Sequence, residues 1–407
     1  MKYFSLTRRV PIAYETEVLV LGGGPSGVSA AICAAREGAE VMLVERYGFL
    51  GGQATGGLVI VLCGYNDDKG QIIKGYCQEI IDYLHNMKSS RPWFRFFIFE
   101  PEVLKRLFDN HIVENKVKLL FNSYAVASTV EDNKINKVII ESKSGIQAIE
   151  ADIVIDCTGD GDCLKWCKEN FEQKSKEEAM HVTACFRIGG INTKKALNFI
   201  NKKRYEYFEI FDKFGSYINP THWVTYVEES IGWFDISHVN NINITNTEDL
   251  TQAELETRNL TWRLFDTFKS EVPGFENAYL IDIAPLLGVR DSRRLKGKYV
   301  LTKNDFNKTF EDGICYFPYY TTMPEIGRLH VPYRVMLPKK IKNLLVAGRS
   351  IGIEHELIDC MREIAQCFAT GQAAGVAAAI AVKDNKDVAE IDVNKLKQRL
   401  VTQGAFI

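Results

Sequence analysis

The stretch that most constrains this chain is residues 17–45, EVLVLGGGPSGVSAAICAAREGAEVMLVE. Val18, Leu19, Val20 and Leu21 form a short apolar run, as a strand buried on both faces requires. Gly22, Gly24 and Gly27 follow as G-x-G-x-x-G, where strand should give way to helix. In such a turn the first glycine permits the tight bend and the second lets a pyrophosphate approach the backbone. The third lets helix pack on strand. Residues 29–36 are small and apolar on one side, so their helix would aim its N-terminal amides and dipole at phosphates. Residues 41–44 make a second strand, and Glu45 ends it, where a carboxylate can accept both ribose hydroxyls of an adenosine. The spacing predicts an adenine dinucleotide site. Glu45 suits NAD and FAD alike and disfavours a 2′-phosphate.

A length of 407 residues predicts two or three domains with a sizeable core. With 50 basic and 52 acidic side chains, the balance argues against a nucleic acid or membrane surface as an electrostatic partner. The N-terminus lacks an apolar core followed by a small-residue cleavage site, so no signal peptide is expected. No uninterrupted run of about 18 apolar residues signals a membrane span. The ten cysteines are scattered without C-x-x-C, which predicts neither a zinc ribbon nor a thioredoxin-type dithiol, and no metal site is expected. A reducing cytoplasm is the compartment this usage suits.

Beyond Glu45, five glycines (48, 51, 52, 56 and 57) fall within ten residues and read as a loop held against the cofactor. Residues 69–87 read as a helix with Ile72, Ile73, Tyr76, Ile80, Tyr83 and Leu84 on one stripe. Residues 93–99 are densely aromatic, which suits core more than a substrate wall, and 101–114 read as a helix with proline near its start. Strands are expected at 117–121, 124–130 and 136–142, rejoining a main sheet at 153–155. That last strand runs into Asp156-Cys157-Thr158-Gly159-Asp160, a turn placed where open α/β sheets bind ligands, with Asp160 also expected to cap the next helix. From residue 165 to about 282 the chain becomes rich in Asn, Tyr, Phe and Trp, with a strand at 181–188 and a helix at 251–268, and reads as an insertion. Arg290, Arg293 and Arg294 follow, one of them expected to bind an anion or form an internal ion pair. A strand at 344–347 ends in Gly348-Arg349, and 360–382 reads as one long helix with Gly371 and Gly375 packed closely against the cofactor sheet. Residues 392–400 close the chain as a short helix.

Four motifs together carry a resemblance: VLGGGPSGVSAA with Glu45, GGQATGG, ADIVIDCTGDGD, and GVRDSRR through VPYR to NLLVAGRS and ATGQAAGVAAA. On these the chain resembles the FAD-dependent oxidoreductase family of the glutathione-reductase-like flavoproteins, over nearly all residues outside about 170–277. The resemblance implies an α/β fold: a discontinuous Rossmann-like FAD-binding domain of the glutathione-reductase-like type, with an inserted α+β substrate domain. It divides the chain into 1–164, an insert at 165–335, and a return segment at 336–407. It implies FAD, held non-covalently, with Gly22, Gly24, Pro25, Ser26 and Gly27 at the pyrophosphate and Glu45 and Arg46 at the adenosine. Gly52, Gln53 and Ala54 would run along the cofactor, and Val126 would touch the adenine side. Gly159 with Asp160, and Gly348 with Arg349, would make the second and third contacts. Arg362 and Ile364 would stand at a helix start aimed at the flavin pyrimidine. The acidic run Glu354, Glu356 and Asp359 departs from the family pattern. Neither a redox-active disulfide pair nor a second G-x-G-x-x-G is present.

The expected activity is hydride transfer between FAD and a small-molecule substrate, with an electron partner and an oligomer, a homo-oligomer included, that the sequence does not name. His355 is the first candidate acid or base, because an imidazole titrates nearest neutrality. Tyr333 and Arg334 are candidate substrate binders. Two other classes stay open on the sequence: a flavoprotein acting on or binding RNA, against which the balanced charge counts, and a non-catalytic NAD-binding protein.

Overall fold

A row of four strand ends organises the molecule. The computed structural model describes residue 4 and residues 7–94, 96–215, 218–318 and 327–407; residue 95 of the aromatic stretch and parts of the insert lie outside these. Strand β1 (Ile12–Leu21) pairs in parallel with β2 (Val41–Val44) on one side and with Gly145–Asp156 on the other. Lys118–Leu120 extends the sheet beyond β2, and Leu344–Val346 pairs in parallel with the end of Gly145–Asp156. The register sets Leu21 opposite both Val44 and Asp156, and Asp156 opposite Val346. All four motif-bearing turns therefore leave the sheet from one edge. The first half of Gly145–Asp156 instead carries an antiparallel excursion, Tyr124–Glu131 and Lys134–Ser142.

Helix α1 (Pro25–Arg36) covers one face of this sheet, and the long helix Ile364–Asp384 packs on α1. Ser29 donates its hydroxyl to the Phe368 carbonyl at 2.7 Å. A Cβ on Gly371 would stand 2.2 Å from the Ser26 carbonyl oxygen, and one on Gly375 2.2 Å from that of Ala30. The close approach is thus made to the backbone of α1 rather than to the strands. By length and apolarity Ile364–Asp384 could cross a membrane, yet its apolar window is wholly buried inside the protein.

Three elements differ from expectation. The helix foreseen over 69–87 spans only Tyr76–Asn86, because Gly75 at φ +63° precedes it and residues 66–71 form the hairpin Asn66–Asp67 with Gly70–Gln71. Ile72 and Ile73 are nonetheless buried, both amides donating to the Tyr65 carbonyl. The strand foreseen over 181–188 is two, Val182–Thr183 and Phe186–Gly189, because the chain passes there from one small sheet to another. The long helix expected from 360 begins at Ile364; Glu363, in extended conformation, separates it from the short helix Ile358–Met361.

The inserted part has its own core, in which Phe186, Phe211, Phe234, Phe268 and Phe275 pack ring on ring beneath a four-stranded antiparallel sheet and the helix Thr247–Glu271. Side chains after this core, from Leu301 to Val335, pack instead in the core that holds β1 and α1. Phe97 and Phe99 also belong to that first core, while Phe94 at the hairpin tip is exposed.

Candidate active site

The glycines of the first turn divide by what surrounds them. A Cβ on Gly22, at φ +94°, would meet the Cys157 carbonyl at 2.6 Å, and one on Gly27 would meet the Gly22 carbonyl at 1.7 Å. These two are fixed by packing. A Cβ on Gly24 would meet nothing within 4 Å, so this glycine faces open space at the start of α1. No side chain caps that helix, and Pro25 occupies its first turn, leaving the N-terminal amides to a ligand. Gly52 closes the other wall, where a Cβ would stand 3.0 Å from the Gly24 Cα.

Glu45 is buried at the end of β2. Its carboxylate accepts from the Gly23 amide at 2.6 Å and the Tyr47 amide at 2.8 Å. Burial pushes its carboxyl above the usual value, and those amides oppose the rise. The acid therefore braces the loop with one lone pair on each oxygen. Arg46 is exposed and lies 4.8 Å from the centre of the Tyr47 ring. Val126 falls at a register shift: Ala125 faces Ile140 and Ala127 faces Ile139, so Val126 has no partner across the ladder. A bulge of this kind leaves one residue outside the ladder pairing and disrupts it locally.

The second turn is built by Asp156, which is fully buried. Its carboxylate accepts from the Thr158 amide and hydroxyl and, at 2.9 Å, from the Cys163 amide. Burial raises its pKa to about 6. Asp156, not Asp160, thus caps the following helix. Asp160 is left to pair with Arg349, whose Nη2 donates to its Oδ1 at 2.6 Å. The same guanidinium donates through Nε to the Gly159 carbonyl at 2.7 Å and through Nη1 to Val289. Gly159 and Gly348 take φ of +78° and +76°. Arg362 pairs with Asp359 at 2.9 Å and Glu363 at 3.3 Å, and Ile364 is buried in the first turn of the long helix. Glu363 caps that helix in position but not by side-chain bonding.

Several buried polar atoms here lack partners among the described residues: Gln53 Oε1, Ser350 Oγ and both amide atoms of Gln366. They lie on the segments that follow the Gly52, Gly348 and Glu363 positions, as groups awaiting a polar ligand would. With the space over Gly24 and the uncapped helices, the residues present fit a dinucleotide.

The three arginines after Gly288 all form ion pairs. Arg293 binds Asp162, and fully buried Arg294 binds Asp291 at 2.9 Å and Glu172 at 3.4 Å. Arg290 grips Asp235 through both carboxylate oxygens at 2.9 and 3.0 Å. Burial would raise the Asp235 carboxyl, but Arg290 and His238 hold it well below the usual carboxylate range. His238 stacks on His181, ring centres 4.1 Å apart. Burial first, then Arg290 and His238, depress His181 to about 3. Nothing in the sequence signals this group, because His181, Asp235 and His238 lie in no motif; only Arg290 did.

The predicted catalytic residues are not brought together. His355 Nδ1 lies 3.1 Å from Asp291 Oδ2 and 3.3 Å from Arg294. Its acidic neighbours turn elsewhere, Glu354 to the Lys303 amide and Asp359 to Arg362. Tyr333 is buried, donating its hydroxyl to the Val388 carbonyl at 2.7 Å. Arg334 pairs with Asp312 at 2.9 Å and stacks over Tyr299 and Phe310. Both therefore spend their polar groups on the core around 299–312 and 388.

A parallel sheet that delivers its turns to one edge beside an open helix N-terminus defines a dinucleotide-binding α/β protein. Residues 17–400 match the family model described as FAD dependent oxidoreductase. The chain belongs to that family; it is an enzyme, and its cofactor is FAD. No curated protein matches it in sequence. It is similar in structure to a geranylgeranyl bacteriochlorophyll reductase-like protein from Thermoplasma acidophilum, at 14% identity and a TM-score of 0.51, over 96% of this chain and 82% of the other. It is also similar to a triple mutant of the flavin-dependent brominase Bmp2, at 11% identity and a TM-score of 0.50, over 95% of this chain and 84% of that one. At these identities the likeness is one of fold.

Proposed function

We propose that FAD lies non-covalently along the carboxyl edge of the sheet, in a glutathione-reductase-like unit made by residues 1–164 and 336–407. Residues 165–335 supply the substrate side. The reaction is a two-electron oxidation or reduction of a small molecule, carried out by a cytoplasmic enzyme. The observation that carries this reading is the row Leu21, Val44, Asp156 and Val346, which sends the turns after these strands to one edge. Bound FAD supplies hydride acceptance or donation.

The chain's own residues do the rest. Gly24 and the amides of α1 hold the pyrophosphate, with Pro25, Ser26 and Gly52 beside them. Glu45 and Arg46 face the adenosine, and the unpaired backbone of Val126 faces the adenine. Arg349 fixes Gly159 and Asp160 and thereby sets the middle of the site. Gln53 and Ala54 form the loop that the insert grips: Gln53 Nε2 donates to Leu287 at 3.0 Å, and Trp233 donates to Leu58 at 2.6 Å. The positive end of Ile364–Asp384, next to Arg362, favours negative charge on the ring it faces. His355, held against the buried Asp291, is the residue placed to move a proton.

The test is direct. Purified protein should be yellow, release one FAD per chain on denaturation, and be reduced anaerobically by members of a metabolite panel. A colourless protein that binds NAD and refuses FAD would overturn the reading, as would a flavin that only RNA perturbs.

A further inference from the structure

A pair of histidines in the insert is tied, through its neighbours, to two cofactor-contacting segments. Thr183 exchanges two backbone hydrogen bonds with Gly288, at 3.1 and 2.6 Å, and the next carbonyl back, that of Leu287, accepts from Gln53. The strand Val182–Thr183, which His181 immediately precedes, is therefore one step from the Gly52–Ala54 loop. On the other side, Arg362 acts electrostatically on His181 and on Asp235, and Glu363 on Asp235 and Arg290. The stack thus shares its charge environment with the start of the long helix.

Its polar atoms are held but not used up. Arg290 donates to the His181 carbonyl and the Thr183 hydroxyl while it grips Asp235. His238 Nε2 lies 3.6 Å from Asp235 Oδ1, is buried, and has no hydrogen-bond partner among the described residues. The His181 ring is half-buried, and its nitrogens make no hydrogen bond to the described residues.

The geometry points to the His181–His238 stack as the substrate wall of the redox site, with His181 holding the oxygen of an alcohol or ketone. This rests on the FAD reading above. Both guanidinium groups here already carry carboxylates, Arg290 on Asp235 and Arg362 on Asp359 and Glu363. The recognition left over is that of the imidazole. A neutral imidazole has one donor and one acceptor, so it accepts from an alcohol O–H and donates to a ketone oxygen. Its neutrality is enforced by burial and by Arg290 and His238, with Asp235 opposing them. A charged head group would find the arginines and carboxylates here already paired with one another.

The experiment titrates the FAD-loaded enzyme with cyclohexanol, cyclohexanone, cyclohexylamine and cyclohexanecarboxylate and follows the flavin difference spectrum. The alcohol and ketone should perturb the spectrum, with affinity flat between about pH 5 and 8, and the amine should not. His181→Phe keeps a ring on His238 but removes the nitrogens, and should bind both at least about tenfold more weakly. His181→Gln should restore part of the loss. Equal affinity in His181→Phe, tighter binding of amine or carboxylate, or silence from all four probes overturns the inference. A protein that carries no flavin fails the cofactor reading first, and this inference with it.

Discussion

Gly371 lies against Ser26 so closely that a Cβ would stand 2.2 Å from the Ser26 carbonyl oxygen. The atom it would strike is backbone, at the first turn of α1, where the pyrophosphate is placed. Gly371→Ala should gain about 1 kcal/mol of helix propensity and lose about 1–3 kcal/mol to overpacking. The expected balance is a lower melting temperature and weaker FAD retention. A variant as stable and as yellow as the parent would show that the two helices part without consequence.

Gly24 and Gly27 should fail in different ways. Gly24 has φ −70° and open space beside it, so valine there leaves the fold of the apoprotein intact. The side chain would instead occupy the cradle, and Gly24→Val should melt like the parent while purifying colourless. Gly27→Ala drives a Cβ to 1.7 Å from the Gly22 carbonyl and should yield little folded protein. Thermal melts paired with flavin content separate the two; a yellow Gly24→Val would sink the pyrophosphate assignment.

Arg349 offers a geometric test at constant charge. Its fork reaches the Gly159 carbonyl, the Asp160 carboxylate and the Val289 carbonyl together, which a lysine ammonium cannot span. Arg349→Lys should weaken FAD at least tenfold, about 1.4 kcal/mol, when apoprotein is titrated by fluorescence quenching. Unchanged affinity would confine the Arg349–Asp160 pair to holding the insert.

What the sequence disclosed was what local rules control. The glycine turns, the strand ends and the acid at Glu45 each need a residue type at a fixed offset, so they read directly. The antiparallel excursion did too, although the bulge that frees Val126 depends on register across two strands and was invisible. Asp156 took the cap expected of Asp160 because capping is decided by which carboxylate the buried turn encloses. The histidine stack was lost for a different reason. Its members are joined across 57 positions, from His181 to His238, and Asp235 meets Arg290 across 55. No periodicity records such pairings.

His355→Ala should separate support of a buried ion pair from proton transfer. His355 sits on the buried Asp291–Arg294 pair, so His355→Ala removes a partner from enclosed charge and should cost about 1–3 kcal/mol. If that is its whole role, anaerobic flavin reduction stays within a few fold of the parent. Slowing by about 10²–10⁴-fold at full FAD content would instead make it the general acid or base. Stopped-flow rates beside urea melts decide between these.

Acid should find His181 before it finds Asp235. The His181 imidazole is held at about 3 against an ordinary 6.5. Folded protein therefore resists a proton that the unfolded chain accepts. Its contribution to stability is complete above pH 6.5 and drains away as pH falls towards 3. At pH 5 the loss is at most about 2 kcal/mol, reduced by solvent screening. Asp235, held low by Arg290 and His238, adds its own loss only below the ordinary carboxylate value of 3.8. His111, His222 and His330 are also depressed, burial being the first cause for each, and they remain in both proteins compared. FAD-saturated parent and His181→Phe should then diverge, the parent losing melting temperature faster between pH 7 and pH 5. Parallel curves would mean that His181 takes up its proton in the folded state as readily as in the unfolded one.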